Sequence, residues 1–313
     1  MGTFKRKSKQ SLSIIILLII AIILIILSII FIYYKTNKLE NNFTSLTKNL
    51  NNIKEDYNKI FSTNEELKSE LDKLNNIDDS IKNDKEELFK LASSLEQKIT
   101  KKETKYKIAY LTFDDGPYYT TNKYLDILKK YKVKATFFTI GLDKEDCYDN
   151  RSKDCSVMYK KIVDNGHTIA NHTYSHLIWK GLYSSADSFI NQVKKQEDLI
   201  KKKTGVTTNI VRFPGGSSTA NAFGIKSAVT KKLKANKYGW VDWSAQDGDG
   251  GGIADKDKAF KNLKDSIDED IEVVLMHDYS QTTLAILPQI IEYLESKNYI
   301  LLPLFYESIK VNK

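Results

Sequence analysis

Residues 107–117, KIAYLTFDDGP, contain the stretch that decides the fold class of this chain. The first seven residues are mostly apolar, which is typical of a buried strand in a parallel sheet. Two aspartates, Asp114 and Asp115, follow at once and precede a Gly-Pro turn. Adjacent carboxylates repel each other and lose solvation when they are partly buried. We therefore expect cationic partners for both of them at this strand end.

Six more short apolar runs follow the first one along the chain. They comprise residues 135–140, 167–171, 209–213, 238–244, 272–278 and 299–305, with helix candidates between several of them at 120–131, 184–203, 223–235, 256–268 and 282–296. Strands that alternate with helices predict a parallel α/β architecture, and seven strands suit an incomplete or distorted (β/α) barrel. Functional residues gather at the carboxyl ends of the strands in such a barrel.

Histidines and an arginine stand at several of these strand ends. His172 and His176 form an H-x-x-x-H pair in NHTYSH, a spacing that suits metal ligands but also occurs in pairs of surface or core histidines. One carboxylate with two histidines leaves a fourth position open for water, which is typical of catalytic zinc. Arg212 and His277 end two further strands. One metal site with an acid–base pair at a shared rim would explain all of these placements.

Five motifs, in this order, resemble those of the polysaccharide deacetylase family, also called carbohydrate esterase family 4 or the NodB homology domain. They are TFDDGP (112–117), HTYSH (172–176), RFPGG (212–216), DWSAQDGD (242–249) and LMH (275–277). The resemblance implies a distorted (β/α) barrel and metal-dependent hydrolysis of N-acetyl groups from a hexosamine polymer, with release of acetate. Membrane-anchored bacterial members of the family commonly act on peptidoglycan N-acetylglucosamine, which implies lysozyme resistance of the wall.

The resemblance assigns the metal ligands and the general base. Asp115, His172 and His176 would hold the metal, usually Zn²⁺, with other divalent transition metals such as Co²⁺ as alternatives. Asp114 would accept a proton from the attacking water. Arg212 would form an ion pair with Asp114 and keep it ionised and aimed.

The resemblance also assigns the general acid and the residues around it. His277 would protonate the departing amine, Leu275 would line the groove for the acetyl methyl group, and the backbone N–H of Tyr118 would stabilise the oxyanion. The fourth motif departs from the common family pattern, because a glycine follows Asp249 where many members have a tryptophan. Asp249 is the favoured partner of His277, and Asp242 is the alternative.

The exact glycan cannot be predicted from the residues. Deacetylation of muramic residues, of poly-N-acetylglucosamine or of chitin-like oligomers is the nearest alternative to peptidoglycan N-acetylglucosamine. A non-catalytic glycan-binding protein on a stalk is the alternative from another class. A degraded site would favour it, whereas every motif residue named above is present.

Residues 12–34 form an uncharged stretch ahead of this domain. A bilayer-spanning helix needs about 20 apolar residues, whereas the apolar region of a cleaved signal peptide has about 7–15 and ends at a small-residue cleavage site. The four cations Lys5, Arg6, Lys7 and Lys9 precede the stretch without any acid. The positive-inside rule therefore predicts a cytoplasmic tail at 1–11, a single-pass signal anchor in the cell membrane at 12–34 and an extracytoplasmic remainder.

Residues 39–99 carry apolar side chains at alternating steps of four and three and contain neither glycine nor proline. Only Asn64, Asp78 and Lys85 interrupt this repeat. A sustained period of 3.5 indicates a coiled coil or a long amphipathic helix. We predict a stalk at 35–104, a spacer that could also form a homo-oligomer, and a catalytic domain at 105–313.

The net charge of +8 does not indicate a nucleic-acid partner. Residues 1–11 account for half of it, and the remainder of the chain is only mildly basic and shows no clustered basic patch. Such a charge is compatible with anionic cell-wall polymers.

The two cysteines, Cys147 and Cys155, flank a polar segment of the predicted extracytoplasmic domain. A disulfide is permitted in that compartment. We predict that the pair closes a surface loop and has no role in metal binding.

Overall fold

A computed structural model describes residues 2–76, 85–141 and 155–313 of the chain. The chain divides into two units, residues 1–62 and 63–313. The described residues of the first unit lie in helix α1, Gly2–Asn76. It continues without a break because residues 3–76 contain no glycine or proline.

The apolar part of α1 is long enough to cross a bilayer. Among the described residues, Leu18–Glu66 is the one helical stretch that meets this criterion of length and composition, which a signal sequence near the N-terminus also meets. The seam residues from Leu39 to Tyr57 are exposed in the single chain. Association of copies through this seam stays a prediction.

The second unit is built on an eight-stranded sheet in which all the named pairings are parallel. The strands are β1 Lys107–Asp114, β2 Thr136–Thr139, β3 Thr168–Asn171, β4 Ile210–Val211, β5 Gly239–Trp240, β6 Ala245–Gln246, β7 Ile271–His277 and β8 Tyr299–Leu302. Their order is β5-β4-β3-β2-β1-β7-β6, and β8 pairs with the first half of β1. The sheet curls as an incomplete barrel, so the predicted distorted (β/α) barrel is confirmed.

Helices connect the strands and cover the outer face of the sheet. They are α3 Thr121–Lys130, α4 Ser156–Asp164, α5 Ala186–Thr204, α6 Gly216–Ala222, α7 Lys226–Ala235, α8 Lys256–Ser266 and α9 Gln281–Ser296, with a π-helical turn at Ile178–Leu182 and a 3₁₀ turn at Asp249–Gly251. The run at 238–244 was predicted as one strand, but its strand ends at Trp240 and a separate strand begins at Ala245. Strands of two residues are too short to show a period.

Alternation along β1 divides the core into two layers. Ala109, Leu111 and Phe113 pack outward against the helices, in the cluster that also contains Tyr124 of α3. Ile108 and Tyr110 instead belong to an inner cluster. Successive side chains of a strand point to opposite faces, so even-numbered residues of β1 face the inside of the curled sheet.

Helix α2, Lys85–Thr100, belongs to the inner core of the second unit. Its buried apolar residues are Leu88, Leu91, Ala92 and Leu95, which join the inner cluster. Glu96 accepts hydrogen bonds from the Tyr110 hydroxyl at 2.6 Å and from the Ile309 backbone N–H at 3.0 Å. The predicted domain start at residue 105 therefore leaves out a packed helix. The apolar repeat over 88–99 serves packing within the chain, which a repeat alone cannot distinguish from a stalk.

The predicted disulfide involves a residue outside the described part of the chain. Cys147 lies there, and Cys155 is buried directly before α4. The pairing stays a prediction.

Candidate active site

The strand ends bring the predicted polar residues together. Asp114 lies six positions after Ile108 of the inner cluster and so faces the inside of the sheet. The register of β1 and β7 places Asp114 directly beside His277. His172 and Arg212 directly follow the neighbouring strands β3 and β4. Residues from four strands thus meet at one carboxyl edge, as the barrel architecture predicts.

Asp115, His172 and His176 form a compact cluster of potential metal ligands. Asp115 Oδ1 lies 3.4 Å from His172 Nε2 and 3.2 Å from His176 Nε2. Ligand atoms about 2.0–2.2 Å from a tetrahedral zinc ion are separated by roughly 3.3–3.6 Å. The spacing of the three side chains therefore fits an ion of this size.

The electrostatics of the cluster also suit a bound cation. Asp115 Oδ1 is buried without a hydrogen-bond partner among the described residues, an arrangement that is costly unless a cation satisfies the oxygen. His172 Nδ1 lies 2.9 Å from the Arg212 carbonyl oxygen, so an N–H there leaves the Nε2 lone pair free to face the cluster. Burial and the neighbouring His176 lower the pKa of His172 to about 3. His172 is therefore neutral, as a metal ligand must be.

Three residues of the cluster's loops have left-handed backbone conformations. The φ angles are 68° at Asp115, 66° at Thr173 and 51° at His176. Aspartate and histidine tolerate this region better than most residues, whereas threonine is rarely found there because it is β-branched. The Thr173 N–H donates to Asn171 Oδ1 at 2.9 Å, which stabilises the turn of the chain at His172.

Asp114 is buried and forms an ion pair with Arg212. Arg212 Nη1 donates to Asp114 Oδ1 at 2.9 Å and to Thr112 Oγ1 at 2.7 Å. The guanidinium is fully buried, and its carbon lies 4.1 Å from the centroid of the Phe138 ring. Burial raises the pKa of Asp114 above its usual value, and the charge of Arg212 acts in the opposite direction. A carboxylate with a raised pKa accepts protons more readily.

His277 is held by Asp249. Its Nδ1 lies 2.7 Å from Asp249 Oδ1, and its backbone N–H donates to Asp249 Oδ2 at 2.9 Å. Burial acts to lower the pKa of His277, but the hydrogen bond and charge of Asp249 outweigh it and raise the pKa to about 9. Nε2 faces the ligand cluster, 3.8 Å from Asp115 Oδ2. Asp242, the alternative partner, instead accepts the Ser217 backbone N–H at 2.9 Å.

Gly250 lies directly against the ring of His277. A Cβ atom on Gly250 would be 2.7 Å from His277 Cε1, well inside the ~3.5–4.0 Å of a normal carbon contact. The position that carries a tryptophan in many family members therefore has no room for a side chain here unless His277 moves.

Leu275 and Tyr118 were predicted to contact the substrate. Leu275 is buried and lies two positions before His277, on the same face of β7. The Tyr118 N–H, in contrast, donates to Thr121 Oγ1 at 2.8 Å. That N–H is therefore engaged within the chain in this conformation. The oxyanion role of the Tyr118 N–H stays a prediction.

Comparisons with known proteins agree with this geometry. The polysaccharide deacetylase family model matches residues 101–234. A peptidoglycan-N-acetylglucosamine deacetylase of Bacillus cereus is 30% identical over 62% of this chain and 67% of its own length. The chain belongs to the polysaccharide deacetylase family. A peptidoglycan-N-acetylmuramic acid deacetylase of Bacillus subtilis is 29% identical, over 64% of this chain and 39% of its own length.

A solved structure also resembles this polysaccharide deacetylase domain. The catalytic domain of a peptidoglycan N-acetylglucosamine deacetylase from Eubacterium rectale superposes with a TM-score of 0.59 at 31% identity. The match covers 66% of this chain and 92% of that domain. The family and the fold of the second unit are thus established together.

Sequence reasoning missed three buried polar residues beside the site, Asp247, Asp278 and Thr283. Asp278 directly follows His277 and accepts a hydrogen bond from the Thr121 hydroxyl. Thr283 contacts both Asp247 and Asp249. The two aspartates on either side of Gly248 were a usable signal for Asp247.

Proposed function

We propose that this chain is a zinc-dependent N-deacetylase of cell-wall glycan, with peptidoglycan N-acetylglucosamine as its main substrate. The observation that carries the proposal is the meeting of three groups at one strand edge: the ligand cluster, the Asp114–Arg212 pair and the Asp249–His277 pair. A structural zinc site usually has four protein ligands. This cluster has three among the described residues, and an acid–base pair lies beside it.

An amide needs an activated nucleophile, charge stabilisation and a proton for its nitrogen. A divalent ion held by Asp115, His172 and His176 would lower the pKa of bound water from ~15.7 towards 7 and polarise the acetyl carbonyl. Asp114 takes the proton of the attacking water, and Arg212 keeps its carboxylate aimed into the site. His277 then gives a proton to the leaving nitrogen as the C–N bond breaks. The products are acetate and the free amine of the sugar.

The choice of glycan is supported by the relatives. One acts on N-acetylglucosamine of peptidoglycan and another on its N-acetylmuramic acid, and a chitin deacetylase of Colletotrichum lindemuthianum is 29% identical over 60% of this chain. Muramic residues, poly-N-acetylglucosamine and chitin-like oligomers are therefore the alternative substrates. The anchor at 12–34 would present the enzyme to the wall outside the cell.

Mass analysis of digested glycans tests this choice. The purified full-length chain in detergent micelles is incubated with peptidoglycan, chitin oligomers and poly-N-acetylglucosamine, and free amines are located on individual sugars. We expect loss of acetyl groups from glucosamine residues of peptidoglycan. Loss of acetyl groups from muramic residues alone would show that these residues, and not N-acetylglucosamine, are the substrate. We also propose that deacetylation makes the wall resistant to lysozyme, and a deletion strain with unchanged lysozyme sensitivity would contradict that role.

A further inference from the structure

A second buried carboxyl group lies behind the Asp249–His277 pair. Asp247 is fully buried, and its Oδ1 accepts the Asp249 backbone N–H at 3.1 Å. Its Oδ2 lies 2.6 Å from Thr283 Oγ1, and the same Oγ1 lies 2.7 Å from Asp249 Oδ2. One threonine hydroxyl therefore connects two buried carboxyl groups.

The number of hydrogens decides the state of these carboxyl groups. A hydroxyl has one hydrogen and can donate to only one carboxylate oxygen. If both carboxyl groups were ionised, one carboxylate oxygen would face Thr283 Oγ1 with no hydrogen between the two atoms. Two hydrogen-bond acceptors in contact in a buried site destabilise the fold. Ser280 Oγ, 2.9 Å from Thr283 Oγ1, can donate a hydrogen to Thr283 but bonds neither carboxyl oxygen. A proton on one of the two carboxyl groups would remove this conflict.

The surroundings identify Asp247 as the protonated member. Asp249 accepts both the backbone N–H and the ring N–H of His277, and hydrogen bonds of this kind favour the charged form. Among the described residues, Asp247 accepts one backbone N–H in addition to its threonine contact. Burial and the charge of Asp249 raise the pKa of Asp247 to about 7. Tyr124, a further titratable group that interacts with Asp247, carries no charge at neutral pH.

We propose that Asp247 is a protonated positioning residue for the acid–base pair: its Oδ2–H donates to Thr283 Oγ1, and the Thr283 hydroxyl donates to Asp249 Oδ2. These two bonds fix the Asp249 carboxylate against His277, and no proton passes along them during the reaction. A second negative charge at Asp247 would bind the His277 proton more tightly and make it a poorer acid. The expected effect of Asp247 on kcat rests on the proposed deacetylation. The presence of a proton on Asp247 does not depend on that function.

Infrared difference spectroscopy detects that proton directly. Spectra of the full-length chain in detergent micelles at pH 6 are compared between wild type and Asp247→Asn. A protonated carboxyl group has a C=O band that is separate from the carboxylate bands and shifts in D₂O. We expect the variant to lose one such acid band. Loss of a carboxylate band instead would overturn the proposal, whether or not the chain is an active deacetylase.

Kinetics of three variants test the positioning role. Asp247→Ala and Thr283→Val should lower kcat about tenfold or more. A positioned acid–base group accelerates a reaction by ~10²–10⁴-fold, and loss of positioning removes part of that acceleration. Asp247→Asn should recover most of the loss, because its amide N–H replaces the carboxyl O–H as the donor to Thr283. Thermal melting confirms that each variant is folded.

Two kinetic results would overturn the proposal. One is full activity of Asp247→Ala. The other is an activity of Asp247→Asn at pH 6 as low as that of Asp247→Ala, since the amide N–H would then have failed to replace the carboxyl O–H as the donor to Thr283.

Discussion

Asp114 and Asp115 are adjacent in the chain but have separate partners. Asp114 Oδ1 accepts from the buried Arg212, whereas Asp115 Oδ1 faces His172 and His176. The left-handed backbone at Asp115, with φ of 68°, ends the strand between them. Asp114 thus has the guanidinium as its cationic partner, and a metal ion held with the two histidines would supply one for Asp115, which would answer the electrostatic problem that the sequence poses at this strand end.

The two aspartates should respond differently to substitution. Asp114→Asn should keep the bound metal and lower kcat by a factor of ~10²–10⁴, because the amide cannot accept the proton of the water. His172→Ala should lose both metal and activity. Metal content by mass spectrometry and acetate release measure the two effects. Release of metal by Asp114→Asn would reverse the assignment of the two aspartates.

Asp249→Asn should move the alkaline limit of activity. The pKa of His277 is raised to about 9, so its protonated form persists until the pH rises through that value. Without the Asp249 charge, the limit should fall towards the ordinary histidine value of ~6.5. The raised pKa also contributes folding stability that is full below pH ~6.5 and is lost as the pH rises through about 9. A pH series of kcat/KM and of urea unfolding measures both effects, and unchanged profiles would contradict the pairing.

Gly250→Ala should reduce kcat at unchanged metal content. The new Cβ would lie 2.7 Å from His277 Cε1, so the ring must move. Gly251→Ala is the matched control, because a Cβ there meets nothing within 4 Å. Steady-state kinetics of the two variants provide the comparison. Equal activities would show that His277 has more freedom than the structure indicates.

Helix α2 is the element whose role differs most from the prediction. A chain of residues 85–313 should fold with a stability close to that of the whole second unit, whereas residues 105–313 should be destabilised. The shorter chain loses the buried side chains of Leu88, Leu91 and Leu95, each of which contributes about 1.5–3 kcal/mol. It also leaves the Tyr110 hydroxyl without its Glu96 partner. We expect a decrease in Tm of ~10 °C or more, and equal Tm values would contradict the packing role.

The helices and strands differ in how well the sequence predicts them. Long strands such as β1 and β7 could be predicted because their apolar runs and polar ends are both visible in the sequence. The two-residue strand β6 shows no period, so it could not be predicted. The placement of α2 could not be predicted, because an apolar helix face does not indicate which surface it packs against. The pairing of His277 with Asp249 depends on the turn at Asp249–Gly251, which propensities do not specify.

At the scale of the whole molecule, the prediction to test is that the N-terminal segment anchors the chain in the membrane. Deleting residues 2–35 should move the protein from the membrane fraction to the soluble fraction, because the uncharged stretch 12–34 is removed. In intact cells without an outer permeability barrier, external protease should cleave the wild-type chain after residue 35. Fractionation and immunoblotting provide both readouts. Complete protection from the protease would contradict the extracytoplasmic orientation.

Acetate release from peptidoglycan by the full-length chain is the most direct test of a metal-dependent deacetylase. The release is followed for the zinc-loaded protein, for the same protein after chelation and after zinc is restored, and for Asp114→Asn at equal zinc content. The account predicts release by the loaded protein, loss on chelation, recovery with zinc and near-background release by Asp114→Asn. Equal release by chelated and loaded protein, or no release by any of them, would contradict it.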